Sequence, residues 1–421
     1  MEYRSEPVVI RGGAGGNTEP KRGKRELRDY RYAAVKGRGK IDAPLLLLTL
    51  ILLTFGVIMV LSASYVRAYY SSEGEATRYF VRQLIFAVLG VGVMLLISCL
   101  KMSFFRRMSV PLLVISLALL ALVPVIGVEE NGARRWINLG ITTFQPSEIM
   151  KIALVMFFAV LICHNRGRMH TFRYGVLPFV GVVAVVVGLL ILEPHFSASI
   201  IMIFIALVMM FMGGTRPVYF IIPGLVVGIG AFLAYKFVDY VAVRVDTWLD
   251  PFAYPQEGGW QTIQSLYAIG SGGLLGLGLG QSRQKFLWLP EEHNDFIFSV
   301  VCEELGFIGA ALILVLFAML IIRGFWIAVH ARDRYSALVA AGITGLLAIQ
   351  VILNIAVVTN LLPCTGISLP FFSYGGTALL IQLGEIGIVL SVSRDIPAAP
   401  SAVPPGKRED NETGEPEEGS R

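Results

Sequence analysis

Ten stretches of about twenty mostly apolar residues recur along this chain of 421 residues. A helix needs roughly 20 such residues to cross a hydrocarbon layer about 30 Å thick. The stretches run at about 43–64, 80–98, 109–126, 146–163, 174–192, 196–212, 217–237, 296–322, 336–358 and 371–393. A buried soluble core accounts for one or two of them, but not for ten. Composition agrees, since 15% of residues are charged where soluble domains carry about 25%. The expected fold is an all-α polytopic membrane protein of about ten transmembrane helices. A long extracytoplasmic loop, at about 238–295, separates the seventh helix from the eighth. Only Glu193, Pro194 and His195 part the fifth stretch from the sixth, which makes a tight helical hairpin.

The chain divides accordingly. Residues 1–42 form a basic cytoplasmic tail of disordered composition, 43–394 the membrane domain, and 395–421 a second tail rich in Pro, Glu and Gly. The first forty residues are too long and too polar to be the charged region of a signal peptide. Cys99, Cys163, Cys302 and Cys364 fall in or beside apolar stretches and form no CxxC pair, so neither a disulfide framework nor a zinc site is expected. Short loops rich in Lys and Arg stay in the cytoplasm. The basic tail shares its side with Lys101, Arg106 and Arg107, with Arg166, Arg168 and Arg173, with Arg216, and with Arg323, Arg332 and Arg334. Both termini are therefore expected inside. The 127–145 loop, the Glu193 hairpin, the 238–295 loop and the 359–370 loop are expected outside. The tail itself reads either as a topology determinant or as a dock for anionic lipid or a cytoplasmic partner.

Ionisable groups in or beside a membrane span are costly, so each is a candidate for function. Gln145-Pro146-Ser147-Glu148-Ile149-Met150-Lys151 opens the fourth stretch. Pro146 suits a first helical turn, and Glu148 meets the positive end of the helix dipole. Glu148 and Lys151 stand three apart on one face and can pair, for function or merely to neutralise each other. Just upstream, Arg134, Arg135 and Trp136 place two guanidinium groups and a ring at the outer interface. That set suits an anionic headgroup or an ordinary interfacial belt.

The long loop carries most of the remaining polar chemistry. It contains Arg244, Gln261 and Ser265, then glycines at 270, 272, 273, 276, 278 and 280, then Arg283 and Lys285. No GK[ST] follows the glycines, so a nucleotide loop is not expected. Close backbone packing and glycine amides approaching a pyrophosphate both remain open. The loop ends in Leu289-Pro290-Glu291-Glu292-His293-Asn294-Asp295-Phe296. Asp295 sits where polar loop becomes apolar span. Like charges nearby and partial desolvation both raise a carboxyl's pKa, which is the tuning a general base needs. A solvated helix-entry acid is the bland alternative. Glu303 and Glu304 must face protein or a polar cleft, not lipid. In the last loop, Pro363, Gly366 and Pro370 lead into Phe371-Phe372-Ser373-Tyr374-Gly375-Gly376-Thr377. Such backbone cannot continue as plain helix, and at membrane depth it must be buried in protein or line a cavity. We expect the wall of a groove open to the outside.

Taken in order, the blocks Gly132–Lys151, Trp260–Glu304 and Leu362–Gly376 resemble the SEDS family (shape, elongation, division and sporulation), the FtsW/RodA/SpoVE group. The resemblance runs from Ser62-Ala63-Ser64 to Ser373-Tyr374-Gly375-Gly376. It implies a peptidoglycan glycosyltransferase that polymerises lipid II on the outer face of the cytoplasmic membrane. It implies Asp295 as catalytic base and Glu148 with Lys151 as paired groups of a central cavity. It also implies a divalent cation, magnesium, for activity, a class B penicillin-binding protein as partner, and further division or elongation proteins. No organic cofactor and no nucleic acid are expected, and the chain has no metal-ligand spacing of its own. It departs from the family pattern at Glu193-Pro194-His195, where Gln-Pro-Asp is frequent, and at Asn294, where Thr is common. Asn360 replaces a usual Gly, Ser368 a usual Pro, and Glu385 puts a carboxylate inside the tenth stretch. Val392-Ser393-Arg394 and the basic tail lean toward the FtsW/SpoVE branch.

The expected reaction is displacement at the anomeric carbon of an undecaprenyl-pyrophosphate-linked sugar by the 4-hydroxyl of another glycan. Candidate substrate-binding residues are Arg134, Arg135, Trp136, Arg244, Gln261, Ser265, Arg283, Lys285, His293, Glu303, Glu304, Ser373 and Tyr374. A lipid II flippase is the rival reading, and it predicts an inverted repeat with charge at mid-bilayer. No such symmetry is visible, and the polar residues gather near one boundary. A non-catalytic division scaffold would not need the dense acidic and glycine-rich loop.

Overall fold

The computed structural model describes residues 39–396, except 72, 73, 131, 132, 139, 141, 238 and 257. The expected tails at 1–42 and 395–421 lie almost wholly outside the described residues. Nine helices among the described residues are long and apolar enough to cross a membrane. They are α1 (Ala43–Ser71), α2 (Arg78–Ser98), α3 (Met102–Ile126), α4 (Pro146–His164), α5 (Phe172–Leu192) and α6 (Phe196–Gly213) in the first half. The twenty-residue helix α7 (Val218–Phe237) follows, at the seventh expected stretch. Two short helices come next, α8 (Asp239–Leu249) and α9 (Gly259–Ser271). The remaining spans are α10 (Ile297–Val329), α11 (Arg334–Val358) and α12 (Gly376–Ser393).

Every expected stretch is thus helical, and the departures have local causes. The tenth helix starts at Gly376 rather than at 371, because Phe371 has a positive φ of 66° and the chain turns before Gly375. The expected all-α fold also carries a small antiparallel sheet of three strands: β1 (Val128–Glu130), β2 (Ala133–Asn138) and β3 (Thr143–Phe144). Val128 pairs with Trp136, and Ile137 with Phe144. Trp, Ile, Thr and Phe within 133–144 favour strand, and the segment is too short and polar to span.

α11 and α12 are enclosed by the other helices, whereas α2 and α3 are mostly uncovered. Val81, Leu84, Ile85, Val88 and Leu89 form an exposed apolar row on α2. Contiguous apolar surface of this extent suits lipid as the solvent, and the chain is a multi-pass membrane protein. Between such helices burial gains little over lipid, so association rests on close packing and polar contacts.

The glycine-rich segment after α9 shows this packing directly. α10 is broken at Gly306, whose φ of 68° and ψ of −172° are not helical. A break in a membrane helix strands backbone groups that must find partners in protein. Here Leu277 N and Gly278 N donate to the carbonyls of Glu303 and Glu304, at 2.9 and 3.0 Å. In the other direction, Phe307 N and Ile308 N donate to Gly273 O and Leu274 O, at 2.9 and 3.1 Å. A Cβ on Gly276 would lie 2.2 Å from Glu304 O, and one on Gly306 would lie 2.2 Å from Gly276 N. Of the two open readings of these glycines, close backbone packing is the one the fold adopts.

An alanine at 306 would meet that clash in an essentially glycine-only conformation that costs an L residue about 1–3 kcal/mol by itself. We expect Gly306→Ala to lower stability by at least about 2 kcal/mol in detergent micelles, read by thermal unfolding. An unchanged melting temperature would refute the packing account.

Candidate functional site: a polar cleft at one end of the bundle

Four segments far apart in sequence meet at the end of the bundle that carries the long loop. They are the sheet with the start of α4, the hairpin tip between α5 and α6, residues 291–295, and the last loop with the start of α12. Together they line a cleft of about 510 Å³. Asp295, Glu148 and Lys151 all line it, so the sequence-derived base and pair share one cavity.

Asp295 is fixed through its backbone. Asn354, fully buried on α11, donates from Nδ2 to Asp295 O at 2.8 Å and to Ile367 O at 2.7 Å. One amide group thereby clamps the 295 segment to the last loop. The same two segments are joined again where Ser373 Oγ donates to Asn294 O at 2.8 Å and accepts from Leu369 N at 2.7 Å. Tyr374 N donates to His293 O at 2.9 Å. Ser373 and Tyr374 therefore both line the cleft and build it. Gly366 has a φ of 63°, and a Cβ there would stand 3.1 Å from Asp295 Oδ2. The last loop thus presses its backbone directly against the carboxylate.

Burial pushes the Asp295 carboxyl up to about 6, and Glu291 adds to the rise, while His293 and Arg135 oppose it. This is the tuning expected from sequence, with one correction. Glu292 takes no part in it. Glu292 is fully buried and accepts two bonds from Arg67, from Nε and Nη2, both at 2.7 Å. Burial pushes its acidity range up, but hydrogen bonds from His293 and Arg67 outweigh that and hold the carboxyl below its usual range. Glu292 ties the C-terminal end of α1 to the site segment. His293 is buried beside it, in a three-ring cluster with Tyr79 and Tyr374 at centroid distances of 5.1 and 5.7 Å.

Glu148 Oε2 and Lys151 Nζ are 2.7 Å apart, and both residues are buried. The pair lies one turn into α4, where Pro146 sets the first turn. Glu385 of α12 is buried within electrostatic reach of both. Glu385 does not line the cleft, so it acts on the pair from behind its wall, at a position that departs from the family pattern.

The hairpin tip is the feature that sequence reasoning left out of the site. Burial lowers His195 to about 3, with Arg135 and Lys151 adding to the effect, so its ring is neutral. Its Nε2 lies 3.3 Å from Gln145 Nε2. With the ring neutral and the amide donating, the proton belongs on Nδ1. Burial raises Glu193 to about 8 against the pull of Arg135. Arg135 Nη2 also donates to Pro194 O at 2.5 Å. The signal was present as two ionisable residues at the tip of an apolar hairpin. Arg82, which hydrogen-bonds Tyr374 and lines the cleft, was likewise missed. It stands one turn from Arg78 at the start of α2, where a plain span has no need of a second cation.

The other candidates scatter. Arg135 and Trp136 line the cleft, but Arg134 is exposed and pairs with Glu129 at 3.6 Å. Arg244 and Gln261 line a second, smaller cavity. Ser265 is buried, with Oγ 2.7 Å from Ser299 Oγ and donating to Val358 O, so it pins α9 to its neighbours. Lys285 Nζ pairs with Glu304 Oε1 at 2.9 Å, and Ser62 Oγ joins them from α1. Glu303 accepts from Ser282 Oγ and from Arg283 N at 2.5 and 2.9 Å. Lys285, Glu303 and Glu304 therefore hold the glycine-rich segment against the broken helix and lie outside both cavities. The exposed Arg283 side chain also lines neither cavity. Among the described residues no three of His, Cys, Asp and Glu come together as metal ligands. The described residues thus offer no protein-held donor set for the magnesium that the resemblance implies.

Breaking one side of a buried ion pair typically costs about 3–5 kcal/mol, because the remaining charge is uncompensated. We expect Lys151→Met to lose about 3 kcal/mol and the double Glu148→Gln/Lys151→Met variant to recover much of it. Thermal unfolding of the four proteins in micelles measures that coupling, and purely additive losses would dismiss the pair.

Residues 43–396 match the model of the FtsW/RodA/SpoVE family, described as cell cycle protein. "Stage V sporulation protein E" of Bacillus subtilis is 44% identical, over 84% of this chain and 97% of its own length. A "Probable peptidoglycan glycosyltransferase FtsW" of Trichlorobacter lovleyi is 42% identical, over 85% of this chain and 94% of its own. Among solved structures, rod shape determining protein RodA of Thermus thermophilus is similar with a TM-score of 0.63 at 29% identity, covering 86% of this chain and 99% of that one. A second, described as "Structural coordination of polymerization and crosslinking by a peptidoglycan synthase complex", has a TM-score of 0.72 at 29% identity and covers 85% and 98%. With residues 43–396 matched by the family model and relatives of 44% and 42% identity covered over nearly their whole length, this chain belongs to the FtsW/RodA/SpoVE family.

Proposed function

We propose that the protein is a peptidoglycan glycosyltransferase that polymerises lipid II, with Asp295 as general base. The observation that carries this reading is a carboxyl tuned to about 6 and fixed by its backbone in the wall of a cleft with polar and cationic groups. The relatives named as glycosyltransferases, matched over nearly their whole length, supply the reaction class.

The cleft end corresponds to the outer face of the cytoplasmic membrane. Its loops hold few basic residues, and those rich in arginine and lysine lie between helix ends on the other side, where cytoplasmic retention places them. Both termini are then cytoplasmic. Lipid-linked substrates reach the cleft sideways from the bilayer, which explains why the enzyme is embedded.

In the reaction, the acceptor 4-hydroxyl attacks C1 of the donor sugar and passes its proton to an Asp295 carboxylate oxygen. The bond from C1 to the pyrophosphate oxygen breaks, and undecaprenyl pyrophosphate leaves with the electron pair. A base so placed contributes about 10²–10⁴-fold. The departing charge needs cations, and Arg82, Arg135 and Lys151 line the same cleft. Arg134, Arg244, Arg283 and Lys285 are placed elsewhere and are not needed there. A class B penicillin-binding protein that cross-links the new strands is the expected partner, in keeping with the synthase complex described for a structural relative.

A base must be ionised to act, so the rate should rise with pH through about 6 and level off above it. We expect purified protein with its partner to polymerise labelled lipid II with that acid limb. Asp295→Asn should lower the rate about 10²–10⁴-fold and remove the limb. Full-length glycan from a folded, partner-bound variant would overturn the assignment. Wild-type protein that makes no polymer but moves lipid II across vesicles would favour the flippase.

A further inference from the structure

The second cavity, of about 410 Å³, falls in the range of roughly 300–1,000 Å³ typical of small-ligand pockets. It is built by α8, the start of α9 and the loop that follows α11. Its partition from the main cleft is thin. Pro290 and Cys364 line the second cavity, while their near neighbours Glu291 and Gly366 line the cleft. Gln261, which lines the same cavity as Pro290, donates from Nε2 to Pro290 O at 3.3 Å and so braces the second cavity's side of that partition.

The lining chemistry is specific. Trp248 and Trp260 both line the cavity, and both indole N–H groups are engaged. Trp248 Nε1 donates to Asn360 O at 3.1 Å, and Trp260 Nε1 donates to Trp288 O at 2.8 Å. The rings are thus held in place and offer the cavity carbon surface. Asn360 Nδ2 returns a bond to Trp248 O at 3.2 Å. With a φ of 59°, Asn360 occupies the left-handed region that glycine and asparagine tolerate best. That explains how this chain replaces a usual glycine and gains a clamp on the ring. Thr247 is 6% exposed, and its Oγ1 is buried in the cavity wall with no hydrogen-bond partner. A buried hydroxyl left without a partner costs about 1–3 kcal/mol, so it points to a ligand with donors or acceptors. Among the described residues of the lining Arg244 is the one cation, and it is exposed. The main cleft, by contrast, holds the buried Lys151.

Rigid aromatic surface beside amide and hydroxyl groups, with no buried charge, suits a neutral ligand with apolar faces and hydroxyl edges. We propose that this cavity is a saccharide subsite, which holds N-acetylhexosamine units of the growing glycan next to the reacting end at Asp295. The assignment rests on the glycosyltransferase reading. It divides the substrate chemically, with charged pyrophosphate in the main cleft and neutral glycan behind the partition.

The test uses the full chain in detergent and a β-1,4-linked N-acetylglucosamine tetrasaccharide, read by intrinsic tryptophan fluorescence. Wild type and Asp295→Asn should bind it equally. Thr247→Val/Gln261→Ala, which keeps both tryptophans, should bind at least about tenfold more weakly at an unchanged melting temperature. In lipid II polymerisation, Trp260→Ala should shorten the strands about threefold. No binding by wild type, equal binding by the double variant, or unaltered strand length with Trp260→Ala would overturn the subsite. Binding that depends on Thr247 and Gln261 in a protein that makes no polymer would support the subsite and remove the enzyme reading instead.

Discussion

Irregular backbone in a membrane protein must find every hydrogen-bond partner inside the protein, and that constraint shapes everything near the site. The break in α10 at Gly306 is tolerated because Gly273 to Gly278 supply the missing donors and acceptors. The non-helical run from Gly366 to Gly375 is tolerated because Asn354, Gln382 and the 293–295 segment do the same. Gln83 adds a further clamp, donating to Ser373 O and accepting from Gly375 N. The Asp295 segment is held in place as a by-product of satisfying its own backbone.

The same low-dielectric surroundings govern the charges. A lone buried carboxylate is expensive, so each acid near the site is neutralised in its own way. Glu292 takes Arg67, Glu304 takes Lys285 and Glu148 takes Lys151. Glu193 and Asp295 have no such partner, and burial raises both. Glu193, raised to about 8, stays protonated at neutral pH, whereas Asp295, raised to about 6, ionises there, so of the unpaired two it is the one able to accept a proton. The contrast in pairing also explains why the raised Asp295 carboxyl and the lowered Glu292 carboxyl can sit in one short segment without sharing properties.

Helix count, helix order and the hairpin between α5 and α6 were legible because lipid imposes one simple rule on length and polarity. Asp295, Glu148 and Lys151 were legible because charge at a span boundary is conspicuous. Glu303, Glu304 and Lys285 were equally conspicuous, yet they proved to be packing partners of the broken helix. Sequence position gives the cost of a charge but not the identity of its partner. His195 and Arg82 were overlooked for the opposite reason, since each looks like an ordinary residue at the end of a helix until three other segments close around it.

By itself, then, the amino-acid sequence determined the membrane class, the order of the spans and which residues are too polar for their positions. These follow from local transfer energies, which a residue carries wherever it lies. Only the tertiary structure decided which polar residues meet, because pairing depends on contacts such as Arg67 with Glu292 or Ser62 with Glu304, more than two hundred positions apart in sequence. It also separated the Asp295 cleft from the Trp260 cavity. A single turn of backbone at Pro290 and Glu291 sends neighbouring residues into different chambers, and no local rule foretells which way such a turn will face.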